Sequence, residues 1–134
     1  MSTLQLVWDE TRCYNLWSWE SETKHQKHQI ATVIRQLHNH VYLARIGPVA
    51  EKATKTIVVK LGYGEQGQES LEREFDFYMH DLYNLQGEVI PRCGGMYRGR
   101  VNGMPLGCLL LQFCSGPPIA DNEEFLCVLF SSMT

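Results

Sequence analysis

The five cysteines never form a C-x-x-C pair. Cys13, Cys93, Cys108, Cys114 and Cys127 are scattered and odd in number. This argues against a disulfide framework and a zinc site, and it fits reduced intracellular thiols. Basic charge is also in short supply: 12 Lys and Arg against 15 Asp and Glu leave a net charge of −3, so no nucleic-acid partner is expected. The chain has no uncharged apolar run long enough to span a bilayer, and no basic segment followed by an apolar one opens it. The expectation is a cytoplasmic or nuclear protein with no membrane partner. What is present is ordinary globular material, with 44% apolar and 20% charged residues in 134. That is enough chain for one domain with a core.

Short alternating segments dominate the first half. Residues 3–8 and 13–19 alternate in the manner of strands. Residues 18–28, with Lys24-His25-Gln26-Lys27-His28 at their centre, read as a solvated loop. Ile30 to Leu37 and Val41 to Ile46 read as an antiparallel pair around the turn His38-Asn39-His40. Gly47-Pro48 ends the second of these strands, and a charged turn follows at 51–55.

The strongest strand is Thr56-Ile57-Val58-Val59-Lys60-Leu61, whose unbroken apolar run predicts burial on both faces. Gly62, Gly64 and Gly67 follow without the Lys-Ser/Thr of a P-loop, so a flexible turn is expected there. A helix is predicted from Gln68 to Leu85. Leu71, Phe75, Tyr78, Leu82 and Leu85 recur at steps of four and three, and Gly87 is a stop signal. Glu74 falls roughly 60° from the centre of that stripe, on its flank. Beyond it, Val89-Ile90-Pro91 reads as extended, and strands at 95–101 and 106–114 flank an Asn102-Gly103 hairpin turn.

The order strand, strand, strand, helix, strand, strand, with Lys60 ending the third strand and Glu74 in the helix, resembles the small lobe of a protein kinase. Ile57-Val58-Val59-Lys60 is similar to the strand whose lysine holds nucleotide phosphates. Leu85-Gln86-Gly87, Val89-Ile90-Pro91, Gly94-Gly95 and Leu109-Leu110-Leu111-Gln112-Phe113-Cys114 resemble a kinase-like branch common in mushroom-forming fungi. The likeness runs roughly from Val33 to Pro118. It implies an α+β fold, an antiparallel β-sheet with one packed helix, small-lobe-like and truncated. It also implies ATP with Mg²⁺ as ligand and a nucleotide site. Lys60 would contact phosphates and Glu74 would hold Lys60. Ala44 would line the pocket roof, Val41 would take the place of the valine after the glycine-rich loop, Leu111 would sit at the back, and Gln112 and Cys114 would offer backbone groups to the adenine edge.

The departures limit what the resemblance implies. Counting back from Val41, the glycine-loop positions are Ile34, Gln36 and Asn39, none of them glycine. There is no H-R-D-x-x-x-x-N and no D-F-G, so base and metal ligands are missing, and Asp121, Glu123 and Glu124 lack their spacing. The expected organisation is an N-terminal extension with short strands (1–32), a small-lobe-like domain (33–118) and a truncated tail (119–134). The expected function is a fragment of a phosphotransferase with part of an ATP site, inactive by itself and with weak or absent nucleotide binding. Two alternatives stand beside it. One is a pseudokinase-type module that binds a protein partner through an apolar face around 106–113 and the helix. The other is the small lobe of an aminoglycoside- or choline-kinase-like enzyme.

Overall fold

The computed structural model describes residues 2–8, 11–18, 28–49, 55–81 and 93–113. In chain order these form β1 (Ser2–Val7), β2 (Cys13–Ser18), β3 (His28–His38), β4 (Val41–Gly47) and β5 (Lys55–Tyr63). Helix α1 (Gly64–Asp76) follows, running on into a π-helical turn (Phe77–Asp81), and then β6 (Cys93–Val101) and β7 (Met104–Gln112).

The strands close on themselves in the order β1-β2-β6-β7-β5-β4-β3, a seven-stranded barrel. This corrects the expected α+β arrangement, an open antiparallel sheet of the kinase small-lobe type with one packed helix. The physical reason lies in the first two strands. An open sheet built from β3 to β7 would leave β3 and β6 as edges with unpaired backbone groups. The β1–β2 hairpin bridges them: β1 runs parallel to β3 from Thr3↔His28 to Val7↔Thr32, and β2 meets β6 at Trp17↔Arg98. Six neighbouring pairs are antiparallel and the β1–β3 pair is parallel. An odd number of strands cannot alternate direction all the way round a closed ring, so one parallel pair is a topological necessity.

Side chains alternate between the barrel interior and its outer wall, as the strand period of two requires. All seven strands supply the interior, among them Leu6, Leu16, Ala31, Val59, Tyr97 and Leu106. A second cluster lies on the outer wall, where Val58, Met96, Leu109 and Leu111 meet Leu71 and Tyr78. The buried run of β5 is thereby explained. Ile57 and Val59 face the interior, Val58 faces the helix side, and all three are buried. The apolar face expected around 106–113 is likewise covered, because Leu106 to Leu111 are buried from one side or the other.

Two local features refine the picture. Register shifts at Val33/Arg35 and Gln36/His38 mark bulges in β3. They leave Ile34 exposed and let Leu37 pack on the outer-wall cluster. Turn chemistry is as the residues require. Asn102 and Gly103 both have positive φ, 53° and 80°, the signature of a two-residue hairpin turn that matches strand twist. His40 also has positive φ, and its carbonyl accepts a hydrogen bond from the Leu61 amide at 2.9 Å.

The glycine segment is not the expected turn. β5 continues to Tyr63 and α1 starts at once at Gly64, whose φ of +78° makes the corner. The helix thus begins four residues ahead of Gln68. Gly62 and Gly67 are packed backbone against backbone, since a Cβ on Gly62 would lie 2.3 Å from the Gly67 carbonyl oxygen. Gly62→Ala is therefore expected to destabilise the fold by about 1–3 kcal/mol, because neither backbone can yield. The check is a lower urea midpoint at an unchanged m-value. The predicted end of the helix (Leu82, Leu85, Gly87), the Leu85-Gln86-Gly87 and Val89-Ile90-Pro91 segments, most of the loop expected at 18–28 and everything from Cys114 onward lie outside the described residues.

Candidate functional site: a buried lysine–glutamate pair

Lys60 occupies the outer wall of β5, between Val41 of β4 and Leu109 of β7 in the register. Its alternation partners Val59 and Leu61 point inward, so the ammonium is directed toward α1. Glu74 meets it there. Nζ donates to Oε1 at 3.3 Å and lies 3.1 Å from Oε2, so the ammonium straddles both carboxylate oxygens. The side chains are 13% and 1% exposed respectively. Burial of a carboxylate to that degree is sustained by its cation and by hydrogen bonds. Sequence position placed Glu74 on the flank of the apolar stripe. The barrel wall curves around that flank and covers it.

The helix is fixed at three points. Leu71 and Tyr78 pack on the outer wall. The Gln68 side chain donates to the Leu106 carbonyl at 3.5 Å. Glu72 accepts from Arg98 Nε at 2.6 Å, and because both of those side chains are about one-third exposed, that pair contributes at most about 1 kcal/mol. Lys60–Glu74 is the deeper of the two ion pairs and the one enclosed by apolar groups.

Val41 and Leu111 share this outer face with Lys60, both buried in the same cluster as Val58. Ala44 does not: it lies in the barrel interior. Val41 and Ala44 are three apart on one strand, and an odd spacing puts two residues on opposite faces. Gln112 is the last residue of β7 and is exposed. Cys114 lies outside the described residues. Ile34, Gln36 and Asn39 belong to the bulged end of β3 and its turn. Among the described residues no group of three or more His, Cys, Asp or Glu could hold a metal ion. No described helix is long and apolar enough to cross a membrane.

One further cluster carries chemistry that the sequence reading did not isolate. Trp8, Tyr14, Tyr42 and Tyr63 gather at one end of the barrel with Arg12. They come from four separate strand ends, so no single sequence window contains their pattern. No family model, no curated protein and no solved structure matches this chain.

Proposed function

We propose that the outer wall of β5 is a contact surface for a nucleotide polyphosphate, with Lys60 as the phosphate-binding group and Glu74 as the residue that orients it. The chain then acts as a nucleotide-binding protein that does not itself transfer phosphate. One observation carries this reading. A lysine stands on the wall of a buried strand, flanked by Val41 and Leu109, and a buried glutamate holds its ammonium at 3.1 Å. A positioned lysine paired to a helix glutamate is the element that cradles phosphates in phosphotransferases of the kinase type. Val41 and Leu111 lie on the same side but are themselves buried under the helix, so the contact rests on the ammonium of Lys60, whose side chain keeps 13% exposure. Phosphoryl transfer also needs a base and metal ligands, and the sequence contains neither motif.

The test is calorimetric titration of the chain with ATP and Mg²⁺. The control is the double variant Lys60→Met/Glu74→Leu, which removes the cation without stranding the carboxylate. Saturable heat from the wild type and none from the double variant is expected. Equal heats from both proteins would sink the assignment of Lys60.

A second reading has its own support. Phe77 and Met79, on the π-helical turn after α1, are 42% and 37% exposed. Two large apolar side chains on one exposed turn favour a protein-interaction module, with the contact surface at that turn instead of along β7.

A further inference from the structure

The aromatic cluster at the barrel end has a geometry of its own. Trp8 follows β1, Tyr14 begins β2, Tyr42 begins β4 and Tyr63 ends β5, so all four stand at the same mouth. Their inner edges pack on the barrel core. The Trp8 and Tyr14 rings are 4.7 Å apart and inclined by 60°, and Trp8 and Tyr42 are 5.6 Å apart and inclined by 87°. The rings are therefore set as walls and not as a stack. Over them sits the Arg12 guanidinium, 4.4 Å from the Trp8 ring centre and 5.7 Å from that of Tyr14, with Nη2 donating to the Tyr14 hydroxyl at 3.3 Å.

What holds Arg12 there is unusual for a cation. It has no carboxylate partner among the described residues, and its contacts are two ring faces and a phenol oxygen. That hydrogen bond, the largest influence on it, raises the guanidinium pKa further. Tyr63 is kept neutral well past physiological pH, pushed up to about 12 by its own burial first and then by Tyr14. The attraction is thus one of a cation for aromatic quadrupoles, which favours weakly hydrated cations. Arg12 is also exposed, and its main chain is anchored independently, since its carbonyl accepts from the Trp8 amide at 3.0 Å. Swinging the side chain out leaves the backbone in place and opens the ring faces to solvent.

We propose that this mouth is a binding site for an alkylated ammonium cation, and that Arg12 is its built-in competitor. The rings of Trp8, Tyr14 and Tyr42 receive the ligand's methyl-bearing nitrogen, as aromatic cages do for quaternary ammonium groups, and the Arg12 side chain vacates the faces it covers. Barrel mouths are a common position for small-ligand sites. This inference is independent of the nucleotide reading, which concerns the wall under α1.

The experiment is a titration of the full chain with tetramethylammonium chloride against sodium chloride at matched ionic strength. The readout is the Trp8 indole N–H resonance, assigned through Trp8→Phe. A saturable shift with the organic cation alone is expected. Arg12→Ala, at an exposed position, should bind about two- to five-fold more tightly, the factor set by losing an exposed cation–π contact. Tyr42→Leu should weaken binding, while Tyr42→Phe, which keeps the ring, should not. No saturable shift in either the wild type or Arg12→Ala overturns the site, as does an identical response to sodium. Equal affinity of wild type and Arg12→Ala overturns the role of Arg12 as competitor.

Discussion

Lys60→Met is expected to lower the free energy of unfolding by about 3–5 kcal/mol, although it replaces a charged residue with an apolar one of similar length. The substitution takes away the ammonium that lies 3.1 Å from the Glu74 carboxylate, 1% exposed, and removing one partner of a buried ion pair is strongly destabilising. Lys60→Met/Glu74→Leu should recover most of the loss, because two packed apolar side chains commonly match or exceed a buried ion pair. Urea denaturation of the wild type, both single variants and the double variant gives the coupling energy directly. Additive single-variant effects would mean that the two charges do not hold each other in solution.

Leu6→Ala should cost about 2–5 kcal/mol, the range for truncating a fully buried leucine in a well-packed core. Leu6 is 0% exposed and lies in the interior cluster with residues of the other six strands. The measurement decides the architecture. If β1 and β2 did not close the barrel and left Leu6 at the surface, removing its three carbons would change stability by less than about 0.5 kcal/mol. In a closed barrel the same deletion opens a cavity at the centre. Equilibrium unfolding at constant m-value separates the two outcomes.

Much of the local structure is legible in the residues. The alternation at 3–8 and 13–19, the β-branched run at 56–61 and the Asn102-Gly103 turn each mark their element within a short window, and the structure has strands and a hairpin there. The stripe Leu71, Phe75, Tyr78 likewise identifies the helix and its buried face. The start of that helix was less legible. Glycines normally interrupt helices, and Gly64 and Gly67 read as loop until it is known that Gly62 and Gly67 touch. The closed barrel was not legible at all. Whether β3 and β6 remain edges depends on a hairpin more than seventy residues from β6 in the chain, and no periodicity in either segment reports that pairing.

The candidate site divides along the same line. The amino-acid sequence by itself determined that Lys60 lies in a strand buried on both faces and that Glu74 flanks an apolar helix stripe, since both follow from periods of two and 3.6 residues. Only the tertiary structure decided that the Lys60 ammonium reaches both Glu74 oxygens, that this carboxylate is enclosed, and that Trp8, Arg12, Tyr14, Tyr42 and Tyr63 meet at one mouth. The physical reason is range. A residue's face is set by the few dihedral angles around it, whereas a contact between strand ends is set by how the whole sheet closes to pair its edges.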